Sequence, residues 1–253
     1  AGQTVNAGQF IADARSEGKR VMFEGAQGTI IDIDHGNYPF VTSSNPTAGG
    51  AAVGSGTSPG VVGQGEVLGI IKGYLTRVGS GPMPTELGGV EGDTPGYGEQ
   101  GSGENEEIAT YIREEGGEYG TVTGRPRRVA WLDMPMLRHS ARVNGFTGLA
   151  INHIDVLAGL DEVKVGHSYT LDGEETMTMP ATTEEWSRCE ANLRSFDGWA
   201  AFDSAAVAED GYEAIPDNAR AYLEYVSEEL DTPIYCVGVG PGREETVVAE
   251  DVW

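Results

Sequence analysis

The chain has 253 residues, 40 of them acidic against 16 Lys plus Arg, for a formal net charge of −24. A field of that sign repels DNA, RNA and anionic lipid, and the apolar runs are too short to span a bilayer, which argues against nucleic-acid and membrane partners. The acids are dispersed and only Lys19, Lys72 and Lys164 represent lysine, a balance expected of a protein from a salt-rich cytoplasm, where such repulsion is screened.

The chain opens on Ala rather than Met and shows no charged-then-apolar leader, so a processed or partial cytoplasmic polypeptide is expected. Val5, Phe10, Ile11 and Ala14 recur at near-helical spacing within residues 3–19, and "RVMFEG" after them reads as a short strand. The Gly-, Ser- and Asn-rich run from Ala26 to Gly60 is too irregular for regular structure throughout, and loops of that length are usually functional. Val67, Leu68, Ile71, Tyr74, Leu75 and Val78 fit one face of a helix. Residues 88–107, "GGVEGDTPGYGEQGSGENEE", carry six acids and no base and read as a flexible surface insertion.

Beyond it, "GFTGLAINHID" (145–155) is a buried strand ending in polar residues, and 162–179 a hairpin turning at Asp172-Gly173. Residues 216–231 form an amphipathic helix with Ala219, Tyr222, Leu223, Val226 and Leu230 on one side. "TPIYCVGVGPGREETVV" gives a strand, a glycine turn and a last strand. Strands alternating with helices predict one α/β domain over 1–253, with a mainly parallel central sheet flanked by helices and an additional β-hairpin. Cys189 and Cys236 form no CxxC and read as buried, reduced thiols.

Several stretches can carry chemistry. Asn152 and Asp155 sit where a strand empties into a loop, the ligand edge of an open α/β sheet. An Asp there can accept from the N1–H and N2–H of guanine, a pair that adenine lacks; a turn cap is the other use of the same residue. "CVGVGPGREE" can approach a ligand closely through its glycines or be a plain tight turn, and no Gly-Lys-Ser/Thr makes it a P-loop. Arg125, Arg127 and Arg128 stand in "GRPRR", where Pro126 fixes a rigid, non-helical presentation. Guanidinium forks bind carboxylates and phosphates; the alternative is that they balance Glu114, Glu115, Glu118 and Asp133. In "DIDHG", Asp32, Asp34 and His35 fit turn chemistry better than a metal site, and His139 and His167 read as satisfied structural histidines.

Five stretches, "VMFEGAQGTIIDIDHGNYPFVTSSNPTAGG", "IIKGYLTRVGSGPMPTEL", "EYGTVTGRPRRVAWLD", "INHIDVLAGLDEVKVG" and "PIYCVGVGPGREET", together resemble adenylosuccinate synthetase, in that family's order. The resemblance implies a P-loop-NTPase-like domain of a GTP-dependent ligase in purine synthesis. GTP phosphorylates the 6-oxygen of IMP, and the amino group of L-aspartate displaces that phosphate to give adenylosuccinate. By resemblance, Gln27, Thr42 and Arg125 touch IMP. Thr121, Val122, Thr123, Gly124, Arg125, Pro126 and Arg127 form the loop over aspartate. Arg127, His153, Ile154, Asp155, Gly238, Val239 and Gly240 line the GTP site. Mg²⁺ as cofactor and a homodimer are implied in the same way.

Two departures stand out. His153 occupies the place where the family commonly carries a lysine beside the guanine-reading Asp. Nothing matches the family's glycine-rich GDEGKGK segment, the source of its catalytic Asp, catalytic His and a Mg²⁺ ligand. The expectation is therefore no metal ligands or catalytic residues within this stretch, and no ligation by it alone. A stand-alone, non-catalytic GTP/IMP-binding module is the main rival, and a metal-dependent hydrolase built on "DIDH" the weaker one.

Overall fold

A computed structural model describes residues 4–88, 104–120, 124 and 126–250. The chain divides into two compact units, residues 1–67 with 140–146, and residues 68–139 with 147–253.

In the first unit, helix α1 (Ala7–Ser16) is capped by Asn6, whose side chain accepts from the Gln9 amide at 3.2 Å. Helix α2 (Ala48–Ser55) ends at Gly56 in the left-handed region and α3 (Pro59–Gly63) begins on a proline, the usual asymmetry of helix ends. A Cβ on Gly8 would stand 2.8 Å from the Gly56 carbonyl oxygen, so α1 approaches the end of α2 at backbone distance. The apolar "RVMFEG" run expected as a strand is irregular, with no ladder partner among the described residues.

The second unit begins with β1 (Leu68–Lys72), β2 (Leu75–Arg77), β3 (Glu86–Leu87) and helix α4 (Glu104–Glu115). It continues through β4 (Arg128–Ala130), β5 (Leu132–Asp133) and α5 (Met134–Asn144), a helix that crosses the unit boundary, to β6 (Gly148–Asn152). Then come β7 (Glu162–Leu171), β8 (Glu174–Thr176), α6 (Thr183–Trp186), β9 (Glu190–Asp197), α7 (Ser204–Asp210), α8 (Asp217–Leu230), β10 (Ile234–Gly238) and β11 (Thr246–Val248). One sheet has the order β1-β6-β10-β11, with the first three strands parallel and β11 antiparallel. A second is β2-β4-β3, and a third joins β5, β7 and β8, with β9 also along β7. The architecture is α/β, as the alternation of elements predicts.

Two expectations are corrected. The helix over 67–78 is instead β1, a turn at Gly73 and β2: Leu68, Ile71 and Leu75 satisfy helical spacing, but the β-branched Ile70-Ile71 pair lies in a parallel ladder against Ala150 and Ile151. The acidic run 88–107 ends inside α4, whose first turn contains Glu106 and Glu107; carboxylates favour that end of a helix dipole. The rest of the run, 89–103, lies outside the described residues.

The core of this unit is apolar. Leu149 and Ile151 of β6, Val163, Val165 and Tyr169 of β7, and Ala219, Tyr222, Leu223 and Val226 of α8 are all buried. The β7–β8 hairpin turns through Asp172 (φ 52°) and Gly173 (φ 88°), the two left-handed residues that a tight hairpin requires.

Candidate functional site

Three parallel strands end side by side. Lys72 pairs with Asn152 in register, and β10 runs parallel to β6 so that Gly238 closes the same edge. The loops leaving these ends carry Tyr74, His153 to Asp155, and Val239 to Gly242. Gly238 packs closely on its neighbour, since a Cβ there would lie 2.4 Å from Asn152 Oδ1 and 3.3 Å from Asn152 Cα, and a larger residue would displace that side chain. His153 holds a positive φ of 65°, an uncommon state for a non-glycine residue and one that clusters at ligand sites. Its imidazole meets the Tyr74 ring edge-on at 6.0 Å. Burial and the neighbouring Lys72 ammonium lower its pKa, so the ring is neutral at physiological pH. Burial raises the carboxyl pKa of half-buried Asp155, while its own amide, that of Val156 and His153 work the other way. Ile154 is buried and its carbonyl accepts from Trp199 Nε1 at 3.0 Å, anchoring the loop from beneath.

A buried carboxylate joins this edge to the arginine segment. Glu118, 1% exposed, accepts from Lys72 Nζ at 2.5 Å, Tyr74 Oη at 2.8 Å and Arg127 Nη1 at 2.6 Å. Burial alone would raise its pKa, but these donors outweigh it and the net shift is downward, so the group stays ionised. The backbone repeats the link, since the Arg127 amide donates to Glu118 O at 2.9 Å. Arg113 then donates to Arg127 O at 3.0 Å and to Glu106 Oε1 at 2.9 Å. Arg128 has a different job. It is buried, grips Glu86 with Nε at 2.6 Å and a second shorter contact, and donates to the carbonyls of Gly79 and Gly81.

A separate cluster belongs to the first unit. Gln27, at φ 75°, donates to Thr42 Oγ1 at 3.0 Å and accepts from Ser44 Oγ at 2.7 Å. Asp32 is fully buried and takes the amides of Asp34 (2.8 Å), His35 (3.0 Å) and Thr47 (3.2 Å). Burial opposes its charge, yet these amides prevail and hold the carboxyl below its ordinary value. The "DIDHG" motif is thus a turn scaffold, with Asn45 Nδ2 bridging to Asp34 at 2.6 Å. No group of three His, Cys, Asp or Glu side chains suited to a metal occurs among the described residues.

The adenylosuccinate synthetase family model matches residues 2–247. The chain belongs to the adenylosuccinate synthetase family. It is 76% identical to the adenylosuccinate synthetase of Haloarcula marismortui and 70% identical to that of Natronomonas pharaonis, each over 98% of this chain and 54% of the relative. It therefore spans about half the length of the curated relatives that it matches. Its backbone is similar to a fully ligated adenylosuccinate synthetase from Plasmodium falciparum with a TM-score of 0.85 at 33% identity, covering 98% of this chain and 54% of the other.

Within this family fold, the residues expected at the guanine edge, His153, Ile154, Asp155, Gly238, Val239 and Gly240, do lie on adjoining strand ends, and Arg127 is tied to that edge through Glu118. Gln27 and Thr42 touch each other. Gly124 (φ 63°) and Pro126, which bridges to Tyr119, are described; Thr121, Val122, Thr123 and Arg125 lie outside the described residues. Of the two readings of "GRPRR", charge balance by Glu118 is observed for Arg127, while Arg128 pairs with Glu86, which was not among the acids expected. Sequence reasoning did not single out Lys72 or Tyr74, and it noted Glu118 only as a nearby acid. The scarcity of lysine was the available signal: one of three in the chain stands at a strand end. His167 Nδ1 contacts Tyr225 Oη at 2.7 Å, a structural role as expected. Cys189 and Cys236 are free thiols, half-buried rather than buried, and burial pushes Cys189 up to about 11.

Proposed function

We propose that this chain forms the base- and aspartate-recognising part of a GTP-dependent ligase that joins IMP and L-aspartate into adenylosuccinate through 6-phosphoryl-IMP. The observation that carries the reading is the strand-end edge: a half-buried carboxylate, Asp155, beside a backbone-close glycine turn and a neutral His153. Asp155 would accept the N1–H and N2–H of guanine, and an adenine base would leave it unpaired in a partly desolvated site. Arg127, oriented by Glu118, would offer its guanidinium to the carboxylates of aspartate and to nucleotide phosphate. Gln27 and Thr42 would hold IMP through neutral amide and hydroxyl groups. Phosphoryl and amine transfer depend on such prepositioned charge rather than on covalent help from the protein.

The rest of the proposal is coarser. Relatives from Haloarcula marismortui and Natronomonas pharaonis, together with the acid-rich composition, support a halophilic source. A cytoplasmic location and a homodimer rest on the resemblance; no helix among the described residues is long and apolar enough to cross a membrane. Magnesium, which the resemblance implies, finds no matching donor set among the described residues. Ligation by the 253-residue chain alone is not expected, because the phosphate site and the catalytic Asp and His belong to a family segment with no counterpart in it.

Calorimetric titration of the chain with GDP and with ADP, in molar salt, tests base recognition. The expected result is a preference for GDP of at least about tenfold, erased in Asp155→Asn, since each charge-assisted bond contributes about 1.5–3 kcal/mol. Equal binding of both nucleotides, or a preference unchanged in the variant, would overturn it.

A further inference from the structure

We infer that Glu118 is a positioning residue shared by the guanine edge and the Arg127 anion site, and that through it a ligand bound at either one raises the affinity of the other. This link rests on the reading of Asp155 as the guanine acceptor and Arg127 as an aspartate contact, and adds to it the residue that makes the two act together.

The carboxylate divides its two oxygens. Oε1 accepts from Lys72 Nζ at 2.5 Å and Tyr74 Oη at 2.8 Å, both on the strand-end side, while Oε2 accepts from Arg127 Nη1 at 2.6 Å. A glutamine in this place has one acceptor oxygen and an amide nitrogen that only donates, so it satisfies one side and turns a donor against the other. An ionised carboxylate accepts on both sides at once. Glu118 is 1% exposed, so water does not replace a lost partner.

Each side leads on to a group that faces a ligand. Lys72 closes β1 beside Asn152, and Tyr74 stands edge-on to His153, whose loop carries Asp155. On the other side the Arg127 amide donates to Glu118 O at 2.9 Å and Pro126 bridges to Tyr119, so residues 118 and 127 close the base of the segment between them.

Glu118 itself is held firmly. Its amide donates to Arg113 O at 2.8 Å at the end of α4, and Arg113 Nε reaches Arg127 O at 3.0 Å. A Cβ on Gly116 would stand 2.3 Å from Tyr74 Oη and 3.2 Å from Glu118 Cγ, so the backbone after α4 packs against both side chains.

The sign of the coupling follows from the two cations. The Lys72 and Arg127 side chains are 31% and 30% exposed, and each keeps rotamer freedom that a ligand must remove. Both end on one fixed carboxylate, so ordering on one side lowers the entropic cost on the other. Lys72, Glu118 and Arg127 together also carry one surplus positive charge in a chain of net charge −24, and Arg127 Nε is buried with no acceptor among the described residues. An anion finds unspent charge and a donor there.

GDP is titrated calorimetrically into the 253-residue chain in molar salt, with and without saturating L-aspartate, sodium chloride serving as the ionic control. The expected result is GDP affinity raised about fivefold or more by aspartate, and aspartate affinity raised by the same factor by GDP, as linkage requires. In Glu118→Gln each ligand should still bind alone, with the coupling factor reduced to within about twofold of unity. A general loss of stability would weaken both affinities without changing their ratio, and the near-ultraviolet spectrum checks the fold. Tyr74→Phe is the milder companion: it removes one strand-end donor, leaves the Arg127 bond in place, and should still lower the factor by about half. No coupling in the parent, or coupling unchanged in both variants, would overturn the link. Aspartate that does not bind at all overturns the link together with the role of Arg127. Equal binding of GDP and ADP overturns the guanine reading, whereas coupling that disappears in Glu118→Gln upholds the link even then.

Discussion

Residues 68–139 and 147–253 hide Leu132, Leu149, Ile151, Leu157, Tyr169, Tyr222 and many more apolar side chains, whereas residues 4–67 hide a single apolar one, Ala52, beside Asp32, Asn37 and Thr47. The larger unit is stabilised by apolar area removed from water. The smaller is organised by hydrogen bonds: Asp32 gathers three amides, Gln27 joins Thr42 and Ser44, and Asn144 links the Ala48 amide to Thr29. Hydrogen bonds fix a geometry but contribute little net stability, about 0.5–1.5 kcal/mol each, because water competes for the same groups. A region built mainly from them has a defined shape and little cohesion of its own.

Truncation of the β6 core breaks this comparison most directly. Leu149 is fully buried in the middle strand of the parallel sheet, and Leu149→Ala should cost about 2–5 kcal/mol, the usual sum of lost transfer energy and residual cavity. Guanidinium unfolding in molar salt, followed by tryptophan fluorescence, measures it. All four tryptophans belong to the larger unit's numbering, at 131, 186, 199 and 253, so the signal reports that unit. A cost below about 1 kcal/mol would mean that the sheet is not the source of cohesion.

The next effect concerns protons. Asp133 is completely buried at the start of α5, where it accepts the Tyr169 hydroxyl at 2.7 and 2.8 Å and the Met136 amide at 3.1 Å. Trp186 Nε1 in turn donates to Tyr169 Oη at 3.1 Å. Burial dominates these bonds and Arg138, pushing the carboxyl from 3.8 up to about 7. A carboxyl raised in the folded state binds its proton more tightly there than in the unfolded chain. Its contribution to stability is therefore fully present below about pH 3.8 and is lost as pH rises from there through about 7. Asp133→Asn, which keeps an acceptor oxygen for Tyr169, should remove this slope; a parallel pH profile in the variant would refute the assignment. Asp32 in the smaller unit has the opposite sign. Held below 3.8, it contributes fully at neutral pH and loses that contribution only as pH falls below its ordinary value.

The contrast also explains what the sequence could reveal. Where apolar residues meet each other, their spacing is informative: Ala219, Tyr222, Leu223 and Val226 marked α8, and Asp172-Gly173 marked the hairpin. Where burial comes from elsewhere, the same patterns mislead. "RVMFEG" has the composition of a strand but no ladder partner among the described residues, and a strand is defined by its partner. Residues 67–78 met helical spacing by coincidence, because two strands separated by Gly73 place apolar residues at similar intervals. The place of Asp155 and the Gly238–Gly240 turn at the ends of parallel strands was legible because polar and glycine residues follow short apolar runs there. Glu118 was not, since its importance lies in drawing Lys72, Tyr74 and Arg127 together over 46, 44 and 9 residues of separation, which local composition does not encode.

The smallest effect is the most discriminating. Phe10 is 63% exposed on a helix that buries no residue, so Phe10→Ala removes little covered area. Alanine is the better helix former by about half a kcal/mol, and the substitution should leave the chain's stability within about 0.5 kcal/mol of the parent, with α1 itself slightly favoured. Hydrogen exchange across residues 7–16, set beside guanidinium unfolding of the larger unit, measures the effect. A loss of more than about 1 kcal/mol would mean that Phe10 contributes apolar burial to the chain and that the smaller unit is not held by hydrogen bonds alone.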